Sequence, residues 1–577
     1  MTTLINAMDN TTNKVMGENG HYMESWSDKL EEKIVQYYFQ LVRNNDESVD
    51  CKFEELLLEI KDETDYKKRD KYMILMYRLI GYTRDIESGK GERLLSYRQL
   101  YSLWLLFPRL GEYMFETFVF IENKHQYGYW GDVKKMCNYV VSKTKNSNHF
   151  IIDYIVNLTN FYLKKDFDKL KKQENVTLLS KWIPREKSKH KWLFKKLAKN
   201  MYSKYLFTAD NSNKLLSARK KCYTNYRKML ATLNRYIDTP QIKMAEKKWR
   251  YIKPEKVTAI TMMKNKEAFL NRKKDGMKLV ERYELEDRKE CANNFKKYFN
   301  TTSKIKGKTL NTYELVREAF RYWNDKEMQE VINKQWADNS EKNFDIGNTI
   351  AMVDTSGSME SDNCVPLFNA IGLGIRISEK TTSLFKDRIM TFDSEPKWWK
   401  FDENMTFCEK CYHLKKAPWG MNTNFYLAME FILDVIVQNN IPPKEASNFS
   451  LIILSDMQID ASINNQRGNF KSKFNTMMDN IKDLYKKAGL ESTYNVEYKV
   501  PHIIFWNLRK TNGFPNKSLE KNTTMLSGYS SSLMNAYCDK GINELKDYNP
   551  WTMLKNILNN ERYEILEQHY NKLYKNN

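Results

Sequence analysis

From Trp26 to about Tyr322 apolar residues recur every third or fourth position, the period of helices with one buried face. The clearest runs are 30–42 (LEEKIVQYYFQLV), 66–86 (YKKRDKYMILMYRLIGYTRDI) and 96–121 (SYRQLYSLWLLFPRLGEYMFETFVFI). Gly, Pro and clustered charge interrupt the period at 87–93 (ESGKGER), 127–132 (YGYWGD) and 181–189 (KWIPREKSK). Such helices joined by short turns predict a stack of antiparallel helix pairs, although no clean repeat is visible. After 324–347 the pattern changes. Short β-rich runs at 348–353, 388–392, 449–455 and 502–507 alternate with amphipathic stretches such as 424–438. Continuous apolar strands between helices predict a doubly wound, mostly parallel sheet covered on both faces. Residues 550–573 read as one last helix docking outside that sheet.

The expected organisation is therefore multidomain, α followed by α/β. It comprises a disordered leader over 1–25, a helical-repeat domain over 26–345, an α/β domain over 346–545 and a C-terminal helix over 546–577. Composition agrees with a soluble protein: 41% hydrophobic residues, 13% aromatic, mean hydropathy −0.70. No apolar run approaches the roughly 20 residues that span a bilayer. The N-terminus lacks the basic start and apolar core of a signal peptide. Eight scattered cysteines suggest a reducing intracellular compartment, so the Asn-x-Ser/Thr matches are by-products of an Asn-rich chain. A cytoplasmic location is expected.

Charge adds a functional direction. Of the net +21, residues 346–577 carry about +1, leaving about +20 on residues 1–345. A basic domain beside a neutral one suggests a polyanion partner for the first. Lys90, Arg93, Arg185, Lys187, Lys189, Lys191, Arg227 and Lys228 are candidate phosphate contacts, with Trp130, Trp182, Trp192 and Tyr226 available for stacking. The blander reading is also open: Lys runs are often solvated faces, and aromatics at helical spacing are usually core.

The α/β part carries one constellation of chemistry. The run 348–353 ends in DTSGS, placing Asp354, Ser356 and Ser358 in the loop after the first strand, where ligands of doubly wound sheets sit. Gly357 is expected to let the backbone bend between the two hydroxyls. Thr423 immediately precedes a helix and Asp456 follows LIILS. Two carboxylates and three hydroxyls form a hard-oxygen set suited to Mg²⁺, with Ca²⁺ or Mn²⁺ as alternatives. Each residue singly could instead be a turn former, N-cap or strand-end cap.

In this order, strand–DxSxS, then Thr before a helix, then strand–Asp, residues 346–545 resemble a von Willebrand factor A domain with its metal-ion-dependent adhesion site. The resemblance implies that Ser356, Ser358 and Thr423 contact the ion, with Asp354 and Asp456 contacting it directly or through water. It also implies that an acidic residue of a partner protein completes the shell. Upstream, residues 83–97, 127–136, 181–189 and 226–237 resemble stations of the TROVE module, which precedes an A domain in Ro autoantigens. The whole is similar to a plant and giant-virus family of the same two-part architecture. That likeness implies HEAT-like helical repeats, binding of small structured RNAs or single-stranded ends, and, for a viral chain, host cytoplasm or virion. A protein-only scaffold is the alternative.

Other signals point away from catalysis. GKT at 307–309 lacks the first glycine of a phosphate loop, and CEKCYH at 408–413 has no second Cys/His pair near it. There is no GxSxG or HExxH, and Ser at 356 excludes a DxDxT phosphatase nucleophile. Weak Mg²⁺-dependent nuclease activity is the remaining catalytic alternative; a non-catalytic binding protein is expected.

Overall fold

The computed structural model describes residues 14–16, 22–43, 48–272, 281–392, 397–415, 425–457, 477–510, 513–535 and 547–575. These fall into two compact units, one drawn from 1–83, 87–95 and 306–577, the other from 84–86 and 96–305.

The first unit is built on strands. β1 (Lys14–Met16) and β2 (Tyr22–Glu24) form an antiparallel pair. β3 (Thr349–Asp354), β4 (Arg388–Phe392), β5 (Lys397–Lys400), β6 (Ser450–Ser455), β7 (His502–Asn507) and β8 (Thr523–Ser527) form one sheet in the order β5-β4-β3-β6-β7-β8. Every neighbouring pair is parallel except β4–β5. β3, β6, β7 and β8 are buried along their whole length, which is why three of them read as unbroken apolar runs. The helix Ser361–Lys380 lies against β3 at very close range. A Cβ on Gly374 would come 2.5 Å from Cγ2 of Val353.

The packing does not follow the division expected at 345/346. Helix Leu30–Gln40 joins the sheet because Asn507 Nδ2 donates to Phe39 O (3.0 Å) and Ser527 Oγ to Tyr38 O (2.6 Å). Helix Thr312–Arg321 packs on Ser361–Lys380, where Thr312 Oγ1 meets Asn369 Oδ1 at 3.3 Å. Both helices thus cover apolar surface of the α/β unit, although they precede it in sequence.

Three boundaries also differ from expectation. Within the leader expected over 1–25, β2 is anchored: Glu24 N donates to Phe514 O and Phe514 N to Glu24 O, both at 2.9 Å, with Met23 buried. Residues 1–13 and 17–21 lie outside the described residues. The run 96–121 divides into Arg93–Leu106 and Pro108–Val119, because Pro108 cannot continue a helix and opens the next one. The C-terminal helix is two, Pro550–Leu558 and Glu564–Tyr574, since Asn560 caps a new start by accepting from Arg562 N at 2.9 Å.

The second unit is helical. Besides Pro108–Val119, its elements include Gly131–Thr144, Phe150–Lys171, Lys191–Met201, Ser212–Ile237, Ala259–Phe269 and Glu286–Thr301. Helices 150–171, 191–201 and 212–237 pack on one another through Ile155, Leu163, Phe194, Leu197, Tyr226 and Leu233. Among the described residues of both units, no helix is long and apolar enough to cross a membrane.

Candidate metal centre and basic surface

β3 and β6 are adjacent and parallel, in register from Thr349↔Ser450 to Val353↔Leu454, so their loops leave the same edge of the sheet. The strand order reverses about β3, which makes this edge the expected place for a ligand. Asp354 is fully buried at the end of β3. Its Oδ1 accepts from Ser356 N at 2.9 Å, closing an Asx turn, and its Oδ2 accepts from Ser455 Oγ at 2.5 Å. That turn aims the next two side chains together: Ser356 Oγ and Ser358 Oγ are 3.0 Å apart. Asp456, also fully buried, follows β6 directly. Gly357 has ordinary backbone angles, and a Cβ there would meet nothing within 4 Å. The turn therefore does not need a glycine to bend, contrary to expectation.

The electrostatics suit a cation. Burial and then the charge of Asp456 push the Asp354 carboxyl up to about 7, against the hydrogen bonds from Ser455 and Ser356. Asp456 meets a guanidinium, because Arg509 Nε donates to its Oδ2 at 2.8 Å. Thr355 Oγ1 in this loop and Ser361 Oγ at the start of the helix that follows are buried without a hydrogen-bond partner among the described residues. Orphaned oxygens beside a pair of buried carboxylates fit a hard divalent ion. Thr423, the fifth residue expected to hold it, lies outside the described residues. Cys408 and Cys411 are buried in the core, and Cys408 Sγ points at Gln329 O (3.8 Å). Among the described residues, no group of three or more His, Cys, Asp or Glu is placed to hold a metal.

The basic residues part company. Lys90 is a correction: it is only 2% exposed and holds the fold together. Its Nζ donates to Leu41 O (3.0 Å), Tyr38 O (3.3 Å), Ser527 O (2.8 Å) and Ser527 Oγ, and lies 4.2 Å from the centre of the Tyr38 ring. Burial drives its pKa well below the ordinary lysine value. The "ESGKGER" stretch looks like a solvated loop, but three carbonyls and a ring face claim the ammonium first. Trp130 and Tyr226 are corrections of the same kind. Trp130 packs against Phe120 and Tyr162, and Tyr226 is buried with its hydroxyl on Asn160 Oδ1 (3.2 Å).

The remaining candidates are open to solvent. Arg93 is exposed at the start of its helix in the sheet-bearing unit. In the helical unit Arg185, Lys187, Lys189, Lys191, Arg227 and Lys228 are all exposed. Arg227 Nη1 pairs with Glu186 Oε2 at 2.6 Å, tying the 181–189 turn to helix 212–237. Trp182 is half-buried, its ring edge-on to Tyr129 at 4.8 Å; Trp192 is half-buried too. Tyr129 is held in turn by Lys135, whose Nζ donates to its hydroxyl at 2.5 Å.

Individual cations are expected from the sequence, but their density is the stronger signal. Residues 181–236 contain sixteen Lys and Arg against two acidic residues, Glu186 and Asp210. That segment alone holds most of the chain's excess charge. Arg509 is not among the expected site residues, although it follows the run 502–507 much as Asp456 follows 449–455.

Residues 134–342 match the family described as Domain of unknown function (DUF2828), and residues 348–572 the family described as Domain of unknown function (DUF7788). The chain is 27% identical over 515 residues to "Uncharacterized protein L728" of Acanthamoeba polyphaga mimivirus, spanning 84% of this chain and 78% of that protein. Among solved structures it is similar to the Ro (RSR) protein of Deinococcus radiodurans, at 9% identity and a TM-score of 0.37, covering 88% of this chain and 99% of that one. The two likenesses anticipated from the sequence, to a giant-virus protein and to a Ro protein, are thus both among the matches.

Proposed function

We propose that this chain is a non-catalytic ribonucleoprotein scaffold. Its helical unit is a TROVE-like module of HEAT-like repeats that holds small structured RNA or single-stranded RNA ends on the basic segment 181–236. Its α/β unit is a von Willebrand factor A domain that docks a partner protein. The observation that carries the RNA reading is the segregation of charge. Sixteen cations against two acids crowd one pair of packed helices and the turn before them, and the candidate phosphate contacts there are exposed. Each phosphate they neutralise releases counterions, which drives association with a polyanion.

In the α/β unit, Asp354, Ser356, Ser358 and Asp456, together with Thr423, would hold Mg²⁺, with Ca²⁺ or Mn²⁺ as substitutes. The ion supplies a Lewis-acidic position that accepts a carboxylate of the partner protein. The near-neutral charge of residues 346–577 supports a division of labour, with RNA on the helical unit and protein on this one. The chain acts inside the cell, in the cytoplasm, or in host cytoplasm or virion if its origin is viral.

Reversing charge at Arg185 and Lys187 together (R185E/K187E) is expected to weaken RNA binding at least about tenfold, on the basis of two lost phosphate contacts, and by a similar factor for unrelated sequences. Fluorescence anisotropy measures the RNA affinity; Mg²⁺-induced thermal stabilisation of the same sample should not move. An unchanged RNA affinity would contradict the placement of RNA on this segment and favour a protein-only scaffold.

A further inference from the structure

The turn between helices Lys191–Met201 and Ser212–Ile237 carries the short helix Lys204–Phe207, which ends on an aromatic ring open to solvent. Phe207 is 85% exposed, the most open large apolar side chain among the described residues. Its neighbours behave differently. Tyr202 and Tyr205 lie parallel, 6.0 Å apart with 11° between their planes, and Asn225 Nδ2 donates to the Tyr205 hydroxyl at 3.2 Å. Lys221 Nζ sits 4.4 Å from the Tyr205 centroid and Lys204 Nζ 5.7 Å from it. Those rings are already occupied by each other and by cations, whereas Phe207 presents a free face.

The surroundings are cationic and polar. Lys204, Lys214, Arg219, Lys220 and Lys221 are all exposed within this turn and the first half of helix 212–237. The lone acidic residue there, Asp210, is taken up by Lys214 at 2.7 Å. Thr208, Asn211, Ser212 and Asn213 follow the ring directly and offer hydrogen-bonding groups.

We propose that Phe207 is a base-stacking platform, and that this turn binds unpaired nucleotides of an RNA. One base lies on the ring while the flanking phosphates pair with Lys204, Arg219 and Lys220. The inference rests on the reading of segment 181–236 as an RNA surface and adds to it a place and a class of ligand. Unpaired RNA is favoured over duplex because bases inside a helix have no face to offer a protruding ring. It is favoured over an anionic lipid surface because five of the six residues that follow the ring, Thr208 and Asp210 to Asn213, are polar. Inserting the ring to the depth of the acyl chains would strip water from them without replacement.

The test uses the full chain, a labelled uridine-rich single strand of about 12 nucleotides, a blunt RNA duplex of the same length, and phosphatidylserine-containing vesicles. Phe207→Ala should weaken binding of the single strand by about tenfold, the scale of one lost base stack. The salt dependence should not change, because no charge is removed. Duplex affinity should be unchanged, and Phe207→Trp should restore single-strand binding. An unaltered single-strand affinity in Phe207→Ala, or an equal loss on the duplex, overturns the stacking role while leaving the basic surface in place. Vesicle binding that depends on Phe207, with RNA binding that does not, overturns it in favour of a lipid contact. If the unaltered chain binds neither RNA, the RNA surface itself is wrong and this site falls with it.

Discussion

Asp132→Ala is expected to destabilise the helical unit by about 3–5 kcal/mol, the range for stranding one partner of a buried ion pair. Asp132 and Arg84 are both almost completely buried, and Arg84 Nε and Nη2 lie 3.1 and 2.7 Å from the same carboxylate oxygen. Tyr97 OH donates to the other oxygen at 2.5 Å, and Tyr129 N to the first at 3.0 Å. Burial alone would drive the Arg84 guanidinium toward neutrality; the Asp132 carboxylate overrides it and keeps its pKa above the ordinary arginine value. The cluster is so tight that a Cβ on Gly128 would stand 2.1 Å from Asp132 Oδ2 and 2.8 Å from Arg84 Nε. That is the physical content of the YGYWGD stretch: its glycine and aspartate make room for, and then neutralise, a buried arginine. Chemical denaturation measures the loss. Arg84→Met combined with Asp132→Ala should be less damaging than the sum of the single changes, because neither charge is then left alone. Strict additivity would contradict the coupling.

The second large effect concerns the ion. With Mg²⁺ bound to the folded chain only, stability should rise by about 2.7 kcal/mol at a free concentration near one hundred times Kd. Asp354→Asn should erase that gain. Asparagine keeps an acceptor for Ser356 N at Oδ1 and presents its Nδ2 to the Ser455 hydroxyl, which must then accept instead of donate, while one of two buried carboxylates is removed; metal-free stability should change little. Arg509→Gln should act in the opposite sense and tighten Mg²⁺, because it withdraws the guanidinium that meets Asp456 at 2.8 Å. Calorimetric titration and thermal melts report both. Full Mg²⁺ stabilisation in Asp354→Asn would contradict the ligand assignment.

Much of the sheet was legible because buried parallel strands must be apolar throughout: 348–353, 388–392, 449–455 and 502–507 each land within a residue of a strand. β5 (KWWK) and β8 (TTMLS) were not legible. An exposed edge strand carries lysines, and β8 is short and half hydroxyl, so neither shows an apolar run. The carboxylates and serines of the candidate metal site were readable from spacing, since a strand end fixes where the next side chains go. Arg509 was not, because nothing local in "NLRK" says that its guanidinium reaches a carboxylate just past the end of another strand. Charge misled at Lys90 for a related reason. Burial of a lysine depends on carbonyls of Tyr38, Leu41 and Ser527, residues up to 437 positions away in the chain. The density of cations at 181–236 was visible in the sequence, but the bare ring of Phe207 in its midst was not, since an exposed phenylalanine and a buried one are written alike.

The most direct measurement is the affinity of the full chain for a single-stranded RNA across about 50–200 mM salt, a range over which counterion release is large. Binding by the basic segment predicts a logarithmic affinity that falls linearly with the logarithm of salt, at about 0.7 per phosphate neutralised. Several phosphates should be counted that way, and Arg185→Glu with Lys187→Glu should reduce the slope by about two contacts' worth. A folded sample that binds no RNA at about 50 mM salt, or binds with an affinity indifferent to salt, would contradict an RNA scaffold built on this surface.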